Sequence, residues 1–215
     1  MKRFDAEDLR GMSKIPRLNL VNSCTGYKSA NLIGTQSIDG LNNVAVFSSI
    51  THLGSNPAMI GFILRPTTVP RDTYKNIKQT GFFSVNHIAE DMIEQAHHTS
   101  ASYDVGISEF EQTGLEMHFH EGIKTPFVKG SPVQLHCKYL NEYPIRENDT
   151  IHIIASVESI IVEEELLHQD YWIQLDKGGV VAINGLDGYC TPKLIDRFAY
   201  ARPFERTSSL LKNVP

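Results

Sequence analysis

Hydroxyl, amide and guanidinium side chains that could bind an anion are concentrated between Asp39 and Asn86. Ser48 and Ser49 follow an apolar run, and Arg65 and Arg71 flank a loop that contains Thr67 and Thr68. Guanidinium groups bind phosphate through charge-assisted hydrogen bonds, and hydroxyls can donate further hydrogen bonds. This part of the chain therefore holds the first candidate site.

A short helix is predicted directly after Arg71. Asp72 and Thr73 supply an N-cap and Gly81 a C-terminal stop. The start of a helix offers free N–H groups and the positive end of its dipole to an anion. If Asp72 caps the helix, it occupies some of those N–H groups and adds a negative charge. Arg71 and Thr73 are therefore better anion ligands than Asp72, whose simpler role is a cap.

The elements around this segment are predicted to be mainly β-strands. Period-two alternation of apolar and polar residues, bounded by turn residues, marks strands at 29–37, 43–51, 58–65, 82–85, 132–139 and 151–161. Asp39-Gly40 joins the first two as a hairpin, and a second short helix is expected over 89–97. Short strands with brief helices, and no G-x-G-x-x-G after a strand, predict an antiparallel barrel rather than a doubly wound sheet.

Composition excludes several classes of function. The 215 residues carry a net charge of −5 without a Lys/Arg cluster, which argues against nucleic-acid binding. The three cysteines, Cys24, Cys137 and Cys190, suggest neither a disulfide frame nor a zinc site. The N-terminus lacks a signal-peptide pattern, and the longest apolar run, 58–64, is too short to span a membrane. We expect a cytoplasmic protein with no membrane partner.

The nine histidines do not predict a metal site. His118 and His120 share one face of a strand, and His97 and His98 are adjacent. A metal needs three or four converging ligands with further support. No matching carboxylate or cysteine spacing accompanies these pairs, so no metal is expected.

Three sequence blocks resemble the flavin reductase-like family. They are D-G-x-x-N-x-A-x-F-S-S from Asp39, N-P-A-x-I from Asn56, and R-D-T-x-x-N-I-x-x-T-G-F-F-S-V-N from Arg71. The likeness covers about residues 17–162. It implies an antiparallel Greek-key split barrel of the FMN-binding type, within a single domain 1–215 whose extension is 163–215.

The resemblance also implies which residues bind FMN. The stretch from Asn43 lies at the flavin edge, where Phe47 packs, and the arginines and hydroxyls suit the phosphate. The implied cofactor-binding residues are Asn43, Val44, Ala45, Phe47, Ser48, Ser49, Arg65, Thr67, Arg71 and Thr73. Without the family, Asn43 would be interpreted as a hairpin residue followed by core aliphatics. Ser48 and Ser49 point to opposite faces if they share one strand, so only one of them faces a given ligand without a bulge.

Two further residues are weaker candidates. Many flavin reductases have a G-D-H turn where this chain has Asn148, Asp149 and Thr150. His152 lies two residues later and could replace the family histidine only through a register shift, which puts NAD(P)H-dependent activity in doubt. Tyr189 could stack on a flavin or simply pack within a surface segment.

Three functions compete. The first is an FMN-dependent oxidoreductase that passes hydride from NAD(P)H to a small-molecule acceptor. The second is a flavoredoxin-like electron carrier reduced by a redox partner protein, and the third is a barrel that binds no flavin. A homodimer is expected because the extension after residue 162 contains many apolar residues, including Trp172 and Tyr200.

Overall fold

Two helices precede the sheet in the computed structural model, which describes residues 1–104 and 106–211. They are α1 (Ala6–Gly11) and α2 (Lys14–Ser23). Asp5 caps α1: its carboxylate accepts hydrogen bonds from the backbone of Glu7 and Asp8, and the Asp8 carboxylate accepts one from the Asp5 backbone. This reciprocal capping box satisfies N–H groups that a helix start leaves unbonded.

Twelve strands and three further helices follow among the described residues. In chain order they are β1 (Lys28–Ser29), β2 (Asn31–Gln36), β3 (Asn42–Phe47), β4 (Thr51–Ser55), β5 (Ala58–Leu64), α3 (Asp72–Thr80), β6 (Phe82–His87), α4 (Ile93–His98), α5 (Glu109–Thr113), β7 (Met117–His118), β8 (Phe127–Val128), β9 (Val133–Ile145), β10 (Thr150–Val162), β11 (Ala182–Asn184) and β12 (Gly188–Cys190). Short 3-10 turns lie at Glu90–Met92 and Glu164–Leu166. The prediction of a mainly β protein with short helices is confirmed.

Seven strands form one antiparallel sheet in the order β3-β2-β6-β9-β10-β5-β4. Near its two ends, the chain leaving β3 reaches β5, the neighbour of the end strand β4. There the Ser49 hydroxyl accepts a hydrogen bond from Ile63 N at 3.1 Å and donates one to Ile63 O at 3.2 Å. This side-chain bridge joins the chain after β3 to β5, so the sheet curls back on itself and the predicted antiparallel barrel is confirmed.

Alternation of side chains places one apolar cluster inside the curled sheet and another outside it. The inner cluster includes Phe62, Phe83 and Ile153, with Ile77 of α3 packed among them. The outer cluster lies on the other face of β2 and β3 and includes residues of α5, β8 and β11. Two cores on opposite faces explain why β2 is buried along nearly its whole length.

The hairpin and helix signals of the sequence are confirmed. β2 and β3 pair antiparallel around a turn where Gly40 has a φ of 85°. α3 ends at Gly81, whose φ of 78° is left-handed, a conformation that glycine adopts without strain. The helix predicted over 89–97 is divided into the 3-10 turn and α4.

Two details of the sequence prediction are wrong. The strand expected over 43–51 is two strands: β3 ends at Phe47, Ser48 lies in a bend, and β4 starts at Thr51. The N-cap of α3 is Arg71, with an extended backbone, and Asp72 is the first helical residue. The cap position is therefore occupied by Arg71, whose side chain makes no capping hydrogen bond.

The segment after β10 packs partly on the sheet and partly as an extended surface chain. β11 pairs with β1, and Leu166 is buried. Further on, the Arg197 guanidinium lies 4.2 Å from the Trp172 ring centroid and 2.7 Å from Asp170 Oδ2. Within residues 1–104 and 106–211, no helix combines the length and apolar character needed to cross a membrane.

Candidate functional site

The start of α3 is an uncapped helix terminus beside a buried guanidinium atom. The N-cap residue, Arg71, makes no side-chain cap hydrogen bond, and a helix start without such a bond leaves backbone N–H groups for a ligand. Arg71 Nε is buried, and no hydrogen-bond partner for it lies among the described residues. A buried guanidinium N–H without an acceptor is costly. An anion at this position would supply the acceptor, so Arg71 fits a phosphate ligand.

Thr73 and Asn43 are brought together, but their polar groups are directed at each other. Both side chains are buried, and the Thr73 hydroxyl lies 3.1 Å from the Asn43 amide. In the amide orientation that satisfies every neighbour, Asn43 Oδ1 accepts from Thr73 and from Val44 N, while Nδ2 donates to Glu109 Oε2 at 3.1 Å. These two residues thus link β3 to α3 and have little polar capacity left for a ligand.

The other residues of β3 are divided between the two faces of the sheet. Val44 is buried in the outer cluster. Ala45 alternates with it, and Phe47 packs against the inner cluster, where its ring makes an edge contact with Phe62 at 5.3 Å. The sequence interpretation of Phe47 as a packing residue therefore agrees with the contacts. Val44 and Ala45 can offer a ligand only backbone groups.

Ser48 and Ser49 do not share a strand, which corrects the argument about opposite strand faces. The Ser49 hydroxyl is occupied by the backbone of Ile63. Ser48 lies in the bend and is partly exposed, and its hydroxyl makes no hydrogen bond to another described residue. Ser48 is therefore the better ligand candidate of the two, because its hydroxyl is available.

Arg65 and Thr67 lie in the loop between β5 and α3. Arg65 follows the last residue of β5 and is exposed, while Thr67 and Thr68 are exposed in a turn. The bridge between Ser49 and Ile63 places the chain after β3 beside the end of β5, so Ser48 lies one residue and Arg65 two residues along the chain from this contact. Asn43 is five residues away from Ser48, roughly 16 Å along an extended chain. The candidates thus span a distance suited to an elongated ligand.

His152 stays in regular strand register. It pairs with Ile63 on β5 and with Tyr143 on β9, and the β10 irregularities lie farther along at Ile154/Ala155 and Val157/Ser159. Its Nε2 atom lies over Gly61, where a Cβ would approach it to 2.5 Å. The register shift needed for His152 to replace the family histidine is therefore absent between residues 150 and 153.

Tyr189 lies on the outer apolar cluster. Its side chain packs against that cluster, and its hydroxyl lies 3.3 Å from His97 Nδ1 on α4. Burial, and then the charge of Asp187, raise the pKa of this phenol. The structure places Tyr189 against α4, and its role in flavin binding stays a prediction.

Sequence reasoning missed two residues that hold the outer edge of β3. The Thr99 hydroxyl accepts a hydrogen bond from Val46 N at 2.9 Å, and Glu109 Oε2 accepts one from Val44 N at 3.3 Å. Both residues come from the segment after α4, far from β3 in sequence. Neither a motif nor a periodicity marks them, because an edge-capping contact depends on the folded path of this segment.

The histidine pair noted in the sequence is close in space. His118 Nε2 lies 3.2 Å from His120 Nε2, and the latter lies 2.8 Å from Gln134 Oε1. Among residues 1–104 and 106–211, no cluster of three or more His, Cys, Asp or Glu side chains could hold a metal ion.

Comparison with known proteins identifies the family. The flavin reductase like domain matches residues 27–179, more than two thirds of the chain. A structure described as a flavin reductase with a split barrel domain, from Shewanella frigidimarina NCIMB 400, is 39% identical and superposes with a TM-score of 0.90 over 94% of this chain and 100% of that one.

Two more distant structures share the fold. Flavoredoxin of Desulfovibrio vulgaris (Miyazaki F) is 20% identical with a TM-score of 0.68, covering 83% of this chain and 91% of that one. An FMN-binding protein from Thermus thermophilus is 15% identical with a TM-score of 0.68, covering 89% and 96%. The split barrel predicted from the sequence is therefore confirmed, and the chain belongs to the flavin reductase-like family.

Proposed function

We propose that this protein binds FMN and passes electrons through it as a flavin-dependent oxidoreductase. The observation that carries the proposal is the buried, unpartnered Nε of Arg71 at the uncapped start of α3, within a chain of the flavin reductase-like family. FMN ends in a single phosphate, which one guanidinium and a few N–H groups can bind. The name of the Thermus thermophilus neighbour, an FMN-binding protein, agrees with this choice.

The residues present suit such a cofactor. Arg71 and the first N–H groups of α3 would hold the phosphate, with Arg65, Thr67 and Ser48 as further ligands. The stretch from Val44 to Phe47 would lie along the ring edge through groups other than the N–H groups of Val44 and Val46, which already donate to Glu109 and Thr99. Asp72 is exposed in the first turn of α3, so its carboxylate can remain solvated beside the phosphate.

Bound FMN would supply two-electron transfer, accepting a hydride from NAD(P)H and delivering it, with a proton from water, to a second flavin, oxygen or an organic acceptor. The chain then needs to orient its ligands and exclude water, and it needs no acid or base of its own. Family likeness to a flavin reductase supports this role. A flavoredoxin-like carrier, reduced by a protein, is the second candidate, since Thr150 stands where many reductases have the histidine.

The first test is chemical identification of the cofactor. The purified protein should be yellow and should release FMN, not FAD, on denaturation, as measured by absorption and mass spectrometry. Oxidation of NADH and NADPH, with and without added free flavin, then separates reductase from carrier. Release of FAD would contradict the single-phosphate argument, and a colourless protein that binds no added flavin would refute the proposal.

Arginine variants test the phosphate site. Arg71→Ala should weaken FMN binding by about 1.5–3 kcal/mol, because a charge-assisted hydrogen bond is lost. Arg65→Ala should weaken it less, since Arg65 is exposed. Arg146→Ala, at the exposed β9–β10 turn, removes the same charge elsewhere and is the control. Titration by quenching of flavin fluorescence measures the affinity; wild-type affinity in both site variants would show that the phosphate binds elsewhere.

We also propose that the protein is a homodimer. In the segment after β10, Ile195 and Tyr200 are 88% and 92% exposed. Large apolar side chains exposed together favour association. A two-fold interface is the most frequent way to bury such a surface, and it could also shield a flat cofactor from water.

A further inference from the structure

The outer edge of β3 is closed by side chains instead of by another strand. β3 stands at one end of the seven-strand order, with β2 on its inner side. On the outer side, the peptide N–H groups of Val44 and Val46 donate to Glu109 and Thr99. Thr99 also donates to Ala96 O at 2.8 Å, so this hydroxyl both accepts a hydrogen bond from β3 and donates one to α4.

Glu109 connects three elements through one carboxylate. In the satisfied amide orientation its Oε2 atom accepts from Asn43 Nδ2 at 3.1 Å. It also shares the single Val44 N–H with Asn43 Oδ1, at N–O distances of 3.3 Å to Glu109 and 3.1 Å to Asn43. Asn43 in turn accepts from the Thr73 hydroxyl in the first turn of α3. The chain of contacts therefore runs from α5 through β3 to the residue two positions after Arg71.

This arrangement places Glu109 behind both halves of the proposed flavin site. The Asn43–Phe47 stretch is the proposed ring edge, and the start of α3 is the proposed phosphate anchor. Among the described contacts, Glu109 hydrogen-bonds the ring-edge stretch directly at Val44 and Asn43. It is connected to the phosphate anchor through the Asn43 amide, which contacts Thr73 of α3. Its carboxylate is partly buried, and burial raises its pKa, with the negative charge of Asp72 adding to the effect. Hydrogen bonds from backbone N–H groups oppose that rise.

We propose that Glu109 is a positioning residue for the flavin: it fixes the edge of β3 and the Asn43–Thr73 link so that the ring edge and the phosphate anchor keep one relative placement. The inference rests on the proposed FMN site. Glu109 itself does not touch the flavin; it acts through Val44 and Asn43.

Three substitutions of Glu109 distinguish the effect of its side-chain length from the effect of its charge. Glu109→Ala removes the acceptor and should weaken FMN binding on the order of tenfold or more, as expected when a partly buried donor loses its partner. Glu109→Asp keeps the charge but shortens the side chain, and should also weaken binding. Glu109→Gln keeps an acceptor oxygen at the same reach and should restore affinity to within about threefold of the wild type. Glu111→Ala, at an exposed position on the same helix, is the matched control.

The measurements are the FMN dissociation constant, the positions of the visible absorption bands of bound FMN, and the unfolding temperature of each variant. A positioning role predicts weaker binding and shifted bands in Glu109→Ala and Glu109→Asp, including at temperatures where both remain folded. A purely structural role would lower the unfolding temperature and leave affinity and bands unchanged in the folded variants. That second result, or wild-type behaviour of both variants, would overturn the inference.

Failure of the proposed function gives a different result. If the wild-type protein binds neither FMN nor another flavin, the flavin site itself is wrong. If the wild type binds FMN and Glu109→Asp binds it equally well with the same spectrum, the site stands and the positioning role of Glu109 is rejected. Should Glu109→Ala fail to fold, the comparison of Glu109→Asp with Glu109→Gln still decides the question.

Discussion

His87, at the end of β6, is held in its neutral form by the fold. Desolvation lowers the pKa of its imidazole to about 4, below the ordinary value of 6.5. Between these two pH values the unfolded chain binds a proton that the native protein does not. The free energy of unfolding therefore decreases as the pH falls through this window and is regained as the pH rises.

The expected size of this effect is about 3 kcal/mol between pH 6.5 and pH 4, since each tenfold change in a dissociation constant corresponds to about 1.4 kcal/mol. Urea unfolding of the wild type and of His87→Gln at several pH values measures it. As the pH falls, the free energy of unfolding of His87→Gln should rise relative to that of the wild type. A difference that stays constant with pH would show that His87 is protonated equally in both states.

Asn43 illustrates how much a sequence pattern can say about one residue. The pattern D-G-x-x-N-x-A placed it at the start of a hairpin strand, and β3 begins one residue earlier, at Asn42. Its partners could not be predicted, because Thr73 and Glu109 are 30 and 66 positions away and meet it only after the sheet has curled. Long-range polar contacts of this kind leave no local periodicity in the sequence.

At the scale of elements, β5 and β10 are matched by a glycine beneath a histidine ring: Gly61 pairs with Ile154, and the His152 side chain reaches diagonally over it. A Cβ at Gly61 would lie 2.5 Å from His152 Nε2, 3.0 Å from Leu53 Cδ1 and 3.1 Å from Ile153 O. The imidazole and the Leu53 methyl group are side-chain atoms that can move, whereas the carbonyl belongs to the sheet. Gly61 is therefore needed for the imidazole to lie across β5.

Gly61→Ala should consequently destabilise the protein by roughly 1–3 kcal/mol through overpacking. Combining it with His152→Ala should recover part of this loss, because the shortest of the three contacts is then removed. Thermal or urea unfolding of the two single variants and the double variant gives the coupling free energy. Strictly additive effects would mean that His152 does not lie over Gly61.

The strand elements also show where sequence prediction fails. Alternation continues through Ser48, Ser49 and Ile50, so the sequence favours one uninterrupted strand from 43 to 51. In the structure the chain bends at Ser48, and the Ser49 side chain takes over the contact with β5. The alternation of residue types predicts which side chains face inward. It does not predict where the backbone bends at a corner of the barrel.

At the scale of the whole molecule, the exposed apolar residues after β10 predict a dimer that depends on them. Light scattering or sedimentation at micromolar concentration should show a homodimer, and the double variant Ile195→Ser/Tyr200→Ser should shift it towards monomer. Ile38→Ser, at an exposed apolar residue of the β2–β3 turn, is the control. A wild-type monomer that retains FMN would refute the interface, and Ile195 and Tyr200 would then be exposed surface residues with no role in association.

The side-chain closure of β3 also bears on aggregation. The strand reads Asn-Asn-Val-Ala-Val-Phe, an uncharged six-residue segment without proline whose Val and Phe residues favour β structure, features shared with segments that form cross-β assemblies. An end strand with free N–H groups would be a template for pairing with another chain. Thr99 and Glu109 occupy the two outward N–H groups of Val44 and Val46. Local loss of the contacts that Thr99 and Glu109 make with β3 would therefore expose a strand edge with unpaired N–H groups, which could pair with another chain while the rest of the barrel was still folded.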